Sequence, residues 1–326
     1  MGFCESLSKK KSNPPSSPDP PLPLSTTLQH QYFISINAHQ NKIACIIELL
    51  SKKIATGSYD KTIKVWNIYN SNYEKTFEEE GNVFCLLEFE NNKLLSGTSL
   101  NNISLWDINS NQRLHKFEGH SLWVNCLVKC NIKYFASCSN DSDIIIWDYH
   151  SKKCENILKG HTDCVLALIK LNDGRLCSGS SDLTIKIWNW EINMCVLTLE
   201  GHNEWVKCLC QLKNGYILSG SNDKTIKVWE QDKIIDILIG HLSSVRALCA
   251  IKDHIFASGS FDKTIKIWDI NTKQCMKTLE GHDSNVIGII YHSSGCLISC
   301  SNDCTIKFWD LGFLDDKMNK TVSNDV

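Results

Sequence analysis

From residue 31 onward the chain runs in short apolar stretches broken by polar ones. In the stretch Thr62–Trp66, TIKVW, apolar and polar side chains alternate with a period of two, as in a half-buried strand. The Ser, Asn, Asp and Lys residues before it are turn chemistry. Variants of SGSxDxTIKIWD recur along the chain and set seven tryptophans in register, Trp66, Trp106, Trp147, Trp188, Trp229, Trp268 and Trp309, at intervals of 40, 41, 41, 41, 39 and 41 residues. Each unit holds four strand-like runs; in the fifth they are VKCLCQL, YILSGS, TIKVW and DILIG. Four short strands bury little by themselves and must stack on a neighbouring unit, so this period predicts a propeller or solenoid.

Other residues keep the same register. A histidine stands 21 residues before a turn aspartate, which stands six before the tryptophan, and a hydroxyl lies four before the aspartate. Six repeats carry the set: His39, Thr56, Asp60, Trp66; His120, Ser137, Asp141, Trp147; His161, Ser178, Asp182, Trp188; His202, Ser219, Asp223, Trp229; His241, Ser258, Asp262, Trp268; and His282, Ser299, Asp303, Trp309. Gly-His, then SGSxD, then IWD at this period resembles the WD-repeat, or transducin β-like, propellers over residues 31 to 311. The resemblance implies an all-β fold, a seven-bladed β-propeller of four-stranded antiparallel blades. It also implies that each set forms a buried hydrogen-bonded chain from the tryptophan N–H through the hydroxyl and the histidine to the aspartate. Each histidine then has an acid in its own repeat, so the six are a structural network and hold no metal.

The second repeat departs from the pattern. It keeps Ser96 and Trp106 but has Glu79 in place of the histidine and Leu100 in place of the aspartate. His and Asp leaving together avoids an unpaired buried group, and the expectation is a blade looser at its upper edge through drift. After Trp309 no outer-strand signature follows, so residues 31 to 36 are expected to supply the fourth strand of the last blade and close the ring.

Cysteines follow the period too. Cys45, Cys85, Cys126 and Cys208 share an inner-strand position with Ala167, Ala247 and Gly288, which reads as a tight site between blades. There is no CxxC, GxSxG, GxGxxG, Walker or HExxH motif, so neither cofactor, metal nor catalytic residue is assigned and the chain reads as a non-enzyme. A net charge of −2 gives no electrostatic pull toward nucleic acid.

Function is then expected on a surface. In propellers of this kind the loop before the inner strand and the turn before the third strand open together at the channel mouth. At those positions Trp123, Trp205, Phe261 and Tyr59 stand where polar residues would serve, with Arg246 and Lys207 nearby. Large aromatics on a rim are typical binding anchors, and these six are the candidate partner-binding patch.

All six prolines lie between residues 14 and 23, so 1–28 reads as a disordered Pro/Ser-rich tail, 29–311 as the propeller and 312–326 as a flexible C-terminal tail. The opening MGFCES fits the N-myristoylation pattern at Gly2, with Cys4 as a second acylation site and Lys9, Lys10 and Lys11 beyond. One acyl chain binds a membrane marginally and a second signal makes attachment stable. The expectation is a cytoplasmic interaction scaffold, a monomer within a larger complex, binding protein or peptide segments and contacting the cytosolic face of a membrane through its N-terminus. The alternative is a substrate-recognition subunit of a ubiquitin ligase, although neither an F-box-length segment before the repeats nor a Trp-Asp-x-Arg ending is present.

Overall fold

Each TIKIW-type run becomes the third strand of a four-stranded antiparallel sheet. The computed structural model of the protein describes residues 32–68, 72–312 and 314. Among them 28 strands form seven such sheets. The fourth is typical: Val165–Lys170, Leu176–Ser180, Ile185–Asn189 and Met194–Leu199 pair in sequence order. The inner strands, Ile43–Glu48, Val83–Glu90, Val124–Lys129, Val165–Lys170, Val206–Gln211, Val245–Ala250 and Val286–Tyr291, each touch the next, and the seventh touches the first. The sheets are therefore the blades of a closed seven-membered ring.

The hydrophobic core lies between blades and not within them. Trp229 of blade 5, for example, is buried with Leu171, Ile187 and Leu199 of blade 4. Close stacking needs small residues at the contact. A Cβ added at Gly57, Gly97, Gly179, Gly220 or Gly259 would lie 2.5 to 2.7 Å from a valine methyl of the following blade, which is the reason the SGS run carries glycine there.

The last blade consists of Val286–Tyr291, Leu297–Ser301 and Thr305–Trp309, with the strand Tyr32–Asn37 on its outer edge. The expected closing strand is present, one residue displaced from the predicted 31 to 36. Packing also reaches past the expected boundary at 311, because Leu314 is buried beside Leu311 against blades 6 and 7. Gly2, Cys4, the segment 1–28 and most of 312–326 lie outside the described residues.

In six blades the tryptophan, hydroxyl, histidine and aspartate stand in line. In blade 4 the Trp188 Nε1–H donates to Ser178 Oγ at 2.8 Å, Ser178 Oγ lies 2.7 Å from His161 Nε2, and His161 Nδ1 lies 2.7 Å from Asp182 Oδ2. A carboxylate only accepts, so the proton belongs on Nδ1, Nε2 accepts from the serine, and a neutral imidazole satisfies every member. Asp182 also accepts from the Thr162 and Thr184 backbone N–H groups. The network thereby ties the loop before the inner strand to the turn before the third strand and fixes the upper face of the ring.

Acid should loosen this network. Burial lowers the His39 pKa from 6.5 to about 4, outweighing the opposing pull of Asp60. Burial alone would raise the Asp60 and Asp141 carboxyls, but hydrogen bonds from Thr62 and His120 respectively, with the histidine charges, bring both down to about 2. The unfolded histidine protonates first as the pH falls. The His39 contribution is therefore complete above pH 6.5 and lost on descending to about 4, while the aspartates lose theirs between their unfolded value and about 2. Urea unfolding at pH 7 and pH 4 should differ by on the order of 2 to 3 kcal/mol. Equal stability at the two values would contradict a buried, neutral His39.

The second blade corrects the expectation of a loose upper edge. Glu79 is buried, and its carboxylate takes over the places of both missing residues. It accepts from Ser96 Oγ, from Trp106 Nε1 at 2.9 Å and from Ser104 Oγ at 3.1 Å, and the Arg113 guanidinium stands 4.0 Å from it. The turn is held separately: Leu100 N–H donates to Thr98 Oγ1, the Thr98 hydroxyl donates to Asn102 Oδ1 at 3.0 Å, and Asn101 Nδ2 donates to the Ser121 carbonyl. A single carboxylate reaches the donors directly, so the blade needs neither a histidine nor an aspartate, and Leu100 is free to face solvent.

Candidate partner-binding face at the channel mouth

The two sets of positions picked out on the rim are hydrogen-bonded neighbours. Asn140 N–H donates to the Trp123 carbonyl, Asn222 N–H to that of Trp205, Phe261 N–H to that of Ser244 and Tyr59 N–H to that of Lys42, all at 2.9 to 3.0 Å. Held in this way, Tyr59, Trp123, Trp205, Lys207, Arg246 and Phe261 all line one cavity of about 560 Å³ at the mouth of the central channel. Loops from repeats far apart in the chain meet there because the ring brings their equivalent positions to one rim.

The rings do not fold away. Trp123 and Trp205 are 48% and 44% exposed and Tyr59 36%, in a protein that buries the seven repeat tryptophans almost completely. Phe84 joins them, with its ring centroid 5.4 Å from Tyr59 and 5.3 Å from Trp123, so the three rings form a continuous aromatic arc across blades 1 to 3. The sequence reading missed Phe84, because a phenylalanine one residue into an inner strand looks like core. The signal was available in the strand alternation: the same position in blades 5 and 6 is occupied by Lys207 and Arg246, and it faces the channel.

The cations occupy the other side. The Lys207 ammonium lies 4.3 Å from the centroid of the Trp205 ring, and Arg246 Nη1 donates to the Lys207 carbonyl at 3.3 Å. Burial, and after it the Arg246 charge, lowers the Lys207 pKa from 10.5 to about 8.

A second cavity, of about 530 Å³, opens on the opposite face beside Glu48, Leu50, Glu88 and His292. Its polar groups are already used: Glu88 accepts from the Leu50 and Asn92 N–H groups, Glu48 from that of Ser293, and His292 bonds Ser294 Oγ and the Lys52 carbonyl. Of the two cavities, the mouth combines exposed aromatics with cations that have no carboxylate partner among the described residues. The shared inner-strand cysteines line the channel below it, and burial pushes the Cys45 and Cys208 thiols up to about 12, which leaves them protonated and unreactive near neutral pH.

The family described as WD domain, G-beta repeat, matches residues 30–67, 111–148, 152–189, 193–230, 232–269 and 273–310, well over half of the chain. The stretch between 67 and 111 is the second repeat, where Glu79 and Leu100 replace the usual pair. Among curated proteins the chain is similar to the nuclear distribution protein PAC1 of Gibberella zeae, 51% identical over 49 residues, and to the nuclear distribution protein nudF of Aspergillus terreus, 46% identical over 50. Each match covers 15% of this chain and 10% or 11% of the relative. The chain thus matches only about a tenth of the length of those proteins.

Proposed function

The chain belongs to the WD-repeat family, and on that premise we propose that it is a non-enzymatic scaffold which holds segments of partner proteins on its channel-mouth face. The observation that carries this reading is the arc of Tyr59, Phe84 and Trp123 facing Trp205, Lys207 and Arg246 around one open cavity. Exposed aromatics are unfavourable in water and gain most when a partner covers them. A match of about one repeat's length to the two relatives carries the repeat and not the process, so nuclear distribution stays with those proteins. Membrane tethering through Gly2 and Cys4 rests on the N-terminal sequence alone.

Trp123→Ala and Trp205→Ala test the reading. Both side chains are about half exposed, so neither change should lower the melting temperature by more than ~2 °C, as surface substitutions usually stay within ±0.5 kcal/mol. Each should weaken the bound partner by about 2 kcal/mol, some thirtyfold. Quantitative affinity purification with mass spectrometry from the protein's own cells reads the loss. Full retention of every partner by both variants would rule out the mouth.

A further inference from the structure

Seven equivalent side chains, one from each inner strand, line both the mouth and the channel below it. Five of these are uncharged and two, Lys207 and Arg246 on adjacent blades, are cations. Among the described residues no carboxylate lies within ion-pair distance of either. The Lys207 ammonium rests on the Trp205 ring, and Arg246 Nη1 spends one donor on the Lys207 carbonyl. The rest of the mouth does not compensate for them. Its single acid, Asp163, bonds its neighbour's backbone at Cys164 N–H, and Lys42 adds a third cation. A chain of net charge −2 therefore concentrates positive charge in the aromatic-lined cavity at the mouth.

Two like charges set side by side in a partly buried site are unfavourable unless an opposite charge joins them. In a cleft with low-dielectric walls the field they create is focused outward. Among the described residues no carboxylate pairs with either cation, which leaves the site open to an anion of a bound segment. Across the mouth the Tyr59, Phe84, Trp123 arc presents aromatic faces and no charge. The two halves of the mouth thus ask different things of one ligand.

We infer that Lys207 and Arg246 form an anion subsite that takes an acidic or phosphorylated side chain of the bound segment, while the aromatic arc takes an apolar side chain of the same segment. The inference rests on the proposed binding role of the mouth. Carboxylate and phosphate share the recognising chemistry, bidentate capture by guanidinium and a point contact from ammonium.

An array of ten-residue peptides, randomised except for a central position fixed as Asp, phosphoserine, Ser or Lys, separates the sources when probed with the full-length protein. The Asp or phosphoserine set should bind about tenfold or more above the Ser set and the Lys set least. The larger of the two anionic signals identifies carboxylate or phosphate. In Lys207→Met with Arg246→Met the ratio of anionic-set to Ser-set binding should fall to about one. Should that double variant fail to fold, the wild-type preference should still collapse when salt is raised from about 0.05 M to about 1 M, where screening is nearly complete. Peptides that bind, depend on Trp123 and show no preference for an anion would overturn the subsite and leave the mouth reading intact. Binding of no peptide from any set would overturn both.

Discussion

Removing residues 1–37 should open the ring, whereas removing 1–28 should leave the melting temperature within ~2 °C of the full chain. The strand Tyr32–Asn37 is joined to Thr305–Trp309 from Tyr32↔Trp309 to Asn37↔Thr305. Phe33, Ile34 and Ile36 pack on the core shared by blades 7 and 1, and the Tyr32 ring lies edge-on to Trp309 at 5.6 Å. Lys307 Nζ bonds Ser35 Oγ at 2.9 Å and covers the Tyr32 ring at 3.9 Å. Removing these three partly buried side chains and baring the core they cover costs on the order of a few kcal/mol, and the bared strand edge becomes a template for aggregation. The longer deletion should therefore aggregate or be digested within minutes by a low dose of protease. Equal resistance of the two truncations would mean that the first strand is not the clasp.

The second large effect lies in the blade that departs from the pattern. Glu79→Ala should destabilise the protein by about 3 kcal/mol or more, since it leaves the Ser96 and Ser104 hydroxyls and the Trp106 N–H short of their shared acceptor and opens a void at a buried site. Glu79→Gln keeps one acceptor oxygen and should cost roughly half as much. Restoring the common residue with Glu79→His should not rescue stability, because position 100 offers leucine where the histidine needs an acid. Urea melts of the three variants give the comparison. A Glu79→Ala protein as stable as wild type would show that the carboxylate does not organise the blade.

The architecture was legible because the chain repeats it: the 21 and six residue spacings can be satisfied only if each repeat folds in the same way. The aromatic rim was legible for the same reason, since a tryptophan at a position that is Lys, Asn, Cys or Ser in the other repeats stands out. What could not be read was anything that compares unlike residues in three dimensions. Glu79 looked like the loss of a histidine, because Ser96 and Trp106 stand at the usual spacings and only Ser104, where the other repeats carry Lys or Ile, is a donor the pattern does not supply. Phe84 looked like core until the ring placed it between Tyr59 and Trp123. Lys207 and Arg246 stand 39 residues apart in a chain rich in lysine, and only the ring makes them neighbours without a carboxylate.

The central claim, that partners sit on the channel mouth, is tested most directly by a photo-crosslinking amino acid placed in the full-length protein, in its own cells, at Phe261 on the mouth or at Leu50 on the opposite face. Leu50 is 66% exposed and Phe261 lines the open mouth, so both probes can reach a neighbour. The prediction is that the probe at 261 crosslinks to one or a few proteins through a short segment identified by mass spectrometry, and that the probe at 50 does not capture them. Crosslinking of the same partners from position 50, with none from position 261, would contradict it.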